Sequence, residues 1–429
     1  MNTRLRSTAL VVLFAAMPSA LAAQKSLTDQ IGDLIRFGSC GQPLCLVTGA
    51  GTHQTHFLIS AQSASTQLSE FLMNSITASV GRLPISATSS GTTFKFVNGA
   101  PVQSTSSFGP IFAERAATMG QGRYLIGVNT SNIAFSKLRG QSMDKISINL
   151  THQDVGTPGL GNDPTESDVV GIDLKMKISL QVSTLSATYG VTDRLDVSVA
   201  VPIVASSLEA TGFAQIYNPT GAITGFHTFG TVLAPTTSTR DTVKGSSSGL
   251  GDITARAKFN LKNTSTSGLA ILANVRIPTG DESNFRSAGA VAANALLIGS
   301  ATYGNFSPHA NVGYALRTGT AQNNALLGSF GFDQMLNKRA TLAVDILSEF
   351  QAGGDAGKLP PNVTFSAASP VRTVQGSNIP NEKDNPIALS AGGRFLVNGY
   401  TLLANGVVPI KSGGMQANFI WTLGLERVF

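Results

Sequence analysis

His53 and His56 stand three residues apart in H-Q-T-H, a spacing that brings two imidazoles together on a helix and could begin a zinc site. They lie among Gly, Thr and Gln, no third ligand is evident, and both are read as polar loop residues with no metal. The run V-T-G-A-G-T at Val47–Thr52 has a dinucleotide-like glycine pattern, but Gln54 stands where the third glycine belongs and no strand-loop-helix unit surrounds it. A hydrolase would need Ser and His on neighbouring strands, so that the imidazole can take the hydroxyl proton. Only His152 and His309 lie at or near strand candidates, and neither faces an identifiable nucleophile. No catalytic residue and no cofactor are therefore expected, and the chain is read as a non-enzyme. Cys40 and Cys45, the only cysteines, form C-G-Q-P-L-C, which in an oxidising compartment closes a small disulfide loop more readily than it binds a metal. Free thiols are the weaker reading.

The compartment follows from the first residues. Arg4 and Arg6 precede an apolar run from Ala9 to Met17 and small residues at Ala20, Ala22 and Ala23, which is the pattern of a secretory signal peptide over residues 1–23. That run is too short to span a bilayer as a helix, which needs about 20 residues. The mature chain, roughly 405 residues long, is expected to begin near Gln24. Loss of the two arginines lowers the formal charge from +6 to about +4, too weak and too dispersed for nucleic-acid binding.

The elements that must position any site are strands. From Gly122 to Phe429 apolar and polar residues alternate many times between turn residues. In Asp252–Leu261 the apolar set is Ile253, Ala255, Ala257, Phe259 and Leu261; in Ile172–Ser183 it is Ile172, Leu174, Met176, Ile178, Leu180 and Val182. A soluble sandwich also alternates. Spans of about 10 residues and connections that alternate between tight and long favour membrane-crossing strands. Tight turns fall at Gly190–Arg194, Lys262–Ser267, Asn337–Arg339 and Asn398–Tyr400, and long polar loops at Ser206–Gly249, Thr279–Ala292 and Gly353–Asn385. There are about thirteen strand candidates, including Gly122–Ser136 and Lys145–His152, whereas bacterial single-chain barrels have even numbers. If tight turns face the periplasm, the first candidate runs downward and an upward crossing is missing; Thr92–Val97 could supply a fourteenth strand, or the preceding chain could thread the lumen.

The expected fold is all-β: a closed antiparallel transmembrane β-barrel of about 12–14 strands over residues 122–429. Residues 24–121 differ, with an amphipathic helix expected over Ala61–Val80 (Leu68, Phe71, Leu72, Ile76 and Val80 on one face), and form a lumen plug or a periplasmic cap. The alternation sends Lys175, Lys177, Arg256, Lys258, Arg276, Arg317 and Arg394, with Asp173, Asp196, Asp252 and Asp345, toward the lumen. Such a mixed, mainly basic wall can bias selectivity or merely form cross-strand pairs.

The last strand, N-F-I-W-T-L-G-L-E-R-V-F, puts Phe419, Trp421, Leu423, Leu425, Arg427 and Phe429 in one register. It resembles the carboxyl signature of bacterial outer-membrane proteins, which the barrel-assembly machinery recognises, although Arg427 departs from the usual aromatic or apolar residue. The blocks F-G-P-I-F-A-E-R-A-A-T-M-G-Q-G-R-Y (Phe108–Tyr124), S-A-T-Y-G-V-T-D-R-L-D-V-S-V-A-V-P (Ser186–Pro202), G-L-G-D-I-T-A-R-A-K-F (Gly249–Phe259) and I-P-T-G-D (Ile277–Asp281) resemble the outer-membrane transporter family associated with the meta-pathway of phenol degradation. The resemblance implies movement of phenols or other small hydrophobic compounds, fixes no substrate and carries over no binding residue. The expected partners are outer-membrane lipid, the barrel-assembly machinery and a small-molecule solute, with no nucleic acid; the expected place is the bacterial outer membrane. The expected function is passive uptake of small hydrophobic or aromatic compounds, against a non-transporting structural or binding barrel (adhesin or assembly component) and, less favoured, an outer-membrane hydrolase.

Overall fold

A sheet of alternating strands keeps two unpaired edges unless it closes, and neither lipid nor water accommodates such edges well. The computed structural model describes residues 25–35, 46–48, 54–82, 94–97, 100–103, 107–152, 154, 158–162, 166–221, 227–231, 233–319, 322–354 and 358–429. Its main sheet closes into a ring of 12 antiparallel strands. In chain order they are β1 (Tyr124–Leu138), β2 (Val169–Gly190), β3 (Leu195–Tyr217), β4 (Ile253–Asn263), β5 (Ser267–Ile277), β6 (Ala292–Ala301), β7 (Phe306–Arg317), β8 (Ala325–Asn337), β9 (Ala340–Gln351), β10 (Ile387–Val397), β11 (Tyr400–Lys411) and β12 (Met415–Val428). Each pairs with its chain neighbours, and β12 pairs with β1 to complete the ring.

The connections after β2, β4, β6, β8 and β10 are short and lie at the same end as Tyr124 and Phe429, which marks that end as periplasmic. At the β10–β11 reversal Asn398 and Gly399 both take positive φ, 51° and 80°, the left-handed pair that a two-residue hairpin of matching twist requires. β1 therefore runs upward from the periplasmic end, not downward. The candidate Lys145–His152 is no separate crossing: Ile146–Thr151 pairs with Val169–Leu174 and prolongs β1 beyond the ring. Phe94–Val97 pairs with Ala100–Gln103 in a separate two-stranded sheet, so among the described residues it is no strand of the wall. Removing Lys145–His152 from the thirteen candidates resolves the odd number.

Outward positions carry Leu185, Val197, Val199, Ile271, Leu297, Val312, Leu326 and Leu423, all exposed, with Tyr124, Tyr189, Tyr303, Tyr400 and Phe429 near the periplasmic rim. An apolar belt edged by aromatics is the surface of a barrel in lipid. The protein is an outer-membrane β-barrel. No helix among the described residues is long and apolar enough to cross a membrane.

On one side the wall rises above this belt. The upper halves of β2 and β3 pair with each other, and Ser238–Leu250 pairs with β3 over Ile203–Gln215. Here the usual polarity is reversed. Leu174, Met176, Ile178 and Leu180 point inward and are buried, whereas Asp173, Lys175 and Lys177 share the outward parity of Leu185 and Tyr189 and are exposed. These three residues therefore do not line the lumen as the alternation predicts. The cause is the N-terminal segment. Helices α1 (Leu27–Asp33) and α2 (Gln54–Gly81) give the barrel an apolar filling, and Leu27, Ile31, Leu34, Leu68, Phe71, Leu72, Ile76 and Val80 form one buried cluster with the inward residues of β2 and β3. Each fully buried Leu, Ile or Phe contributes roughly 1.5–3 kcal/mol, so the inner face of these strands is apolar because protein, not water, lies against it. Residues 1–23, Cys40, Cys45 and His53 lie outside the described residues; His56 falls within α2.

Candidate functional site

The four blocks that carry the family resemblance meet in space. At the periplasmic end the chain from Ser107 to Gln121 crosses the base of the lumen. Phe108 N donates to Thr341 Oγ1 (3.1 Å), Glu114 N to Asn311 Oδ1 (2.9 Å), Ala116 N to Ser300 Oγ (3.1 Å) and Met119 N to Asp196 (2.9 Å). These partners stand on β9, β7, β6 and β3, so the segment's backbone is satisfied by side chains around the wall. The block Phe108–Tyr124 also locks onto the turn after β2. Thr118 Oγ1 donates to the Asp193 carbonyl (2.7 Å) and Gln121 N to Asp193 Oδ1 (3.1 Å). A Cβ at Gly190 would overlap the Gly120 carbonyl, which is why that turn begins with glycine.

Charge reinforces this crossing. Glu114 accepts from Lys258 Nζ (3.3 Å) and lies 3.7 Å from Arg256 Nη1, both from β4. Arg115 donates to Thr302 Oγ1 (2.8 Å) and lies 3.6 Å from Asp333. His309 Nε2 is 2.6 Å from Asp345, its Nδ1 3.6 Å from Asp333, and Ser107 Oγ bonds Asp333 as well. Arg394 pairs with Glu426 (2.5 Å) and donates to the Pro110 carbonyl (2.9 Å).

At the outer end the blocks Gly249–Phe259 and Ile277–Asp281 fold a loop into the barrel. Asp252 accepts from Ala288 N (2.7 Å) and Gly280 N (3.3 Å), and Thr279 Oγ1 donates to the Gly251 carbonyl (2.7 Å). Gly249 and Gly280 lie so close to Arg286 that a Cβ on either would overlap it. Asp281 gathers Ser283, Asn284 and Arg286 at 2.7–2.9 Å. Burial raises its pKa, and the three side-chain bonds and the Arg286 charge outweigh that, leaving the carboxyl below its ordinary value. Asn284 then accepts from Leu27 N (3.2 Å), tying the loop to α1. The end of α2 is held nearby: Arg82 meets Glu349 at 2.9 Å, Arg317 grips the same carboxylate with two bonds of 2.9 Å, and Arg276 donates to the Gly81 carbonyl.

Between α2 and the upper wall lies a cavity of about 240 Å³. Its apolar lining includes Ile133, Phe135, Leu347, Ala388, Val407 and Ile420, with Arg82 and Glu349 at its edge. The wall is locally open in hydrogen bonding there. Pairing of β11 with β12 stops at Val407–Ile420, and β12 carries a bulge against β1 between Ala417 and Ile420.

Eight of the sequence-predicted residues face the interior: Asp196, Asp252, Arg256, Lys258, Arg276, Arg317, Asp345 and Arg394. All but Asp345 touch the N-terminal chain, the folded-in loop or another interior group that touches it; Asp345 reaches it through His309 and Asp333. They are tied to protein partners within the barrel rather than left as an open wall of mixed charge with a basic excess. Glu114, Arg115, Asp333, Glu349 and Glu426 were missed. Glu114 and Arg115 were visible as an adjacent charge pair in a block of small and apolar residues, and Asp333, Glu349 and Glu426 share the inward parity of their strands.

The family model described as "Putative MetA-pathway of phenol degradation" matches residues 162–358. No curated protein matches the chain. Among solved structures, an outer-membrane channel from Pseudomonas putida F1 is 12% identical, covering 73% of this chain and 98% of its own, with a TM-score of 0.42. A Pseudomonas aeruginosa FadL homologue is 11% identical, covering 72% and 90%, with a TM-score of 0.32. The Ralstonia pickettii toluene transporter TbuX is 9% identical, covering 72% and 90%, with a TM-score of 0.31. The barrel follows from this chain's own strand pairing. Residues 162–358 hold three of the four sequence blocks, so the family model falls on the part of the chain where most of the resemblance lies.

Proposed function

We propose that the barrel is a channel for passive uptake of small hydrophobic compounds, aromatic or phenol-like in size, and that residues 24–121 act as its lumen plug. The observation that carries this reading is the apolar cavity of about 240 Å³ inside the barrel, between α2 and the wall. Engineered apolar cavities of about 150 Å³ accept benzene, so this one has room for a single aromatic ring. The interior charges are bound to one another at both ends of the lumen. A solute that loses its water on entry is therefore better matched here than a hydrated ion. The bonds at the base of the lumen, from Ser107 to Gln121, support a plug over a periplasmic cap. Transport needs no chemistry on the solute under this reading, and interior residues act as wall and latch.

The test is uptake of toluene or phenol into liposomes carrying the full chain, compared with Ala388→Phe, which fills the cavity. Loss of aromatic uptake with ion conductance unchanged is expected. Equal uptake by both proteins would remove the cavity from the pathway, and no uptake of any solute by the wild type would remove the transport reading.

A further inference from the structure

We propose that the raised face of β2, β3 and Ser238–Leu250 binds the phosphorylated sugar headgroup of an outer-leaflet glycolipid. The residues that were expected in the lumen are central to it. Lys177, Glu209 and Lys244 lie directly across the three strands, and Lys175 and Arg240 stand on the same outward face one and two outward positions higher. Glu209 lies 3.7 Å from Lys177, but both side chains are largely exposed, and one carboxylate between two lysines neutralises only one of them. Asp173 is the other acid of the face, so a positive excess remains.

The shape fits a ligand of some size. Lys177, Glu209 and Lys244 rim a groove of about 560 Å³ whose floor includes Ser179, Ser207 and Ser246. Its height identifies the ligand class. The first apolar outward row below is Ile203 and Leu250, and the Lys177 row lies six residues further along the strands. For strands tilted by about 45° that is roughly 14 Å above the hydrocarbon edge. A phosphoglyceride carries its phosphate nearer the acyl chains, whereas phosphates on a sugar headgroup extend farther, and lysine stems can bend down to meet them. The site is continuous with the lipid-facing belt, so the acyl chains would lie on Leu185, Val199 and Ile203. This inference depends on the barrel's place in the outer membrane and not on what passes through it.

The experiment measures binding of three lipids to the full-length protein in detergent: bisphosphorylated lipid A, the same lipid after dephosphorylation, and phosphatidylglycerol. The triple variant Lys175→Gln, Lys177→Gln and Lys244→Gln is compared with the triple Lys→Arg variant, with heat-modifiable migration confirming that both barrels are folded. About tenfold weaker binding of bisphosphorylated lipid A by the Gln variant, retention by the Arg variant, and no change with dephosphorylated lipid are expected. Wild-type affinity in the Gln variant would overturn the proposal. So would dephosphorylated lipid A or phosphatidylglycerol binding the wild type as tightly as bisphosphorylated lipid A.

Discussion

Lys258 on β4 and Glu114 on the N-terminal segment lie 3.3 Å apart and are almost fully buried. One end of this pair belongs to the wall and the other to the chain that crosses it. Removing one partner of a buried ion pair leaves an uncompensated charge, at a cost of about 3–5 kcal/mol, whereas replacing both with apolar groups is often neutral. Glu114→Gln is expected to loosen residues 107–121 and raise channel conductance, with Glu114→Gln/Lys258→Met closer to wild type than Glu114→Gln alone. Planar-bilayer recordings of the two variants measure this. Equal conductance in all three proteins would show that the pair does not hold the segment.

Gly190→Ala places a methyl group on the Gly120 carbonyl. The backbone there must shift to relieve the overlap, and a loss of about 1–3 kcal/mol is expected. Gly353→Ala tests the opposite case: nothing lies near a Cβ there, but its φ of 100° is strained for alanine, so its loss reflects backbone alone. Urea unfolding of the refolded barrels compares them. A fully stable Gly190→Ala protein would mean that Gly120 and Gly190 are not packed together at the periplasmic turn.

Phe429 closes the ring. Its N–H donates to the Tyr124 carbonyl (2.8 Å), its carbonyl accepts from Tyr124 N (3.2 Å), and the two rings stack at 5.0 Å, with Arg427 over the Phe429 face at 4.8 Å. Deletion of Phe429 is expected to impair assembly in the outer membrane more than export, because the terminal strand must pair with β1 to close the ring. Trp421, on the same outward face, offers a fluorescence signal for insertion. Normal amounts of heat-modifiable barrel after the deletion would contradict this.

Removal of Gln24–Ile85 takes away α1 and α2. Conductance is expected to rise, and stability to fall, because Leu174, Met176 and Ile178 would then face water inside the barrel. At about 25 cal/mol per Å² of apolar surface, several exposed aliphatic side chains cost a few kcal/mol. Bilayer conductance and urea unfolding are read together. An unchanged conductance in a correctly assembled deletion would place the segment outside the passage.

Asp281 gives a pH-dependent contribution. Its folded pKa is depressed, so the stability it adds is fully present above the unfolded value of about 3.9 and is lost as pH falls through the lower folded value. Asp281→Asn is therefore expected to differ from wild type in unfolding midpoint at pH 6, with the difference shrinking below pH 4. A difference that stays constant to pH 2 would show that the carboxylate charge is not what holds Ser283, Asn284 and Arg286.

Much of the barrel was legible in the residue order. Period-two alternation is a local property, so the strands, the tight periplasmic turns and the inward parity of Arg256, Lys258 and Arg394 could be read one segment at a time. The helix over Ala61–Val80 was legible for the same reason, and the structure extends it back to Gln54. Alternation says only that two faces differ, however, and not what lies against each. In lipid with a watery lumen the polar face of β2 turns inward; with helices inside and water outside it turns outward, and Lys175 and Lys177 took the second course. Likewise the odd strand number came from treating Ile146–Thr151 as a crossing, when its pairing with Val169–Leu174 shows that it prolongs β1. The glycines and aspartates of the four blocks were visible as turn chemistry, but their partners lie far away in sequence: Gly120 against Gly190, Asp252 against Ala288, Glu114 against Lys258. Composition and periodicity determined a barrel in a membrane. Only closure of the ring around the N-terminal chain decided which charges face one another, because those contacts exist only once distant strands are brought around a common interior.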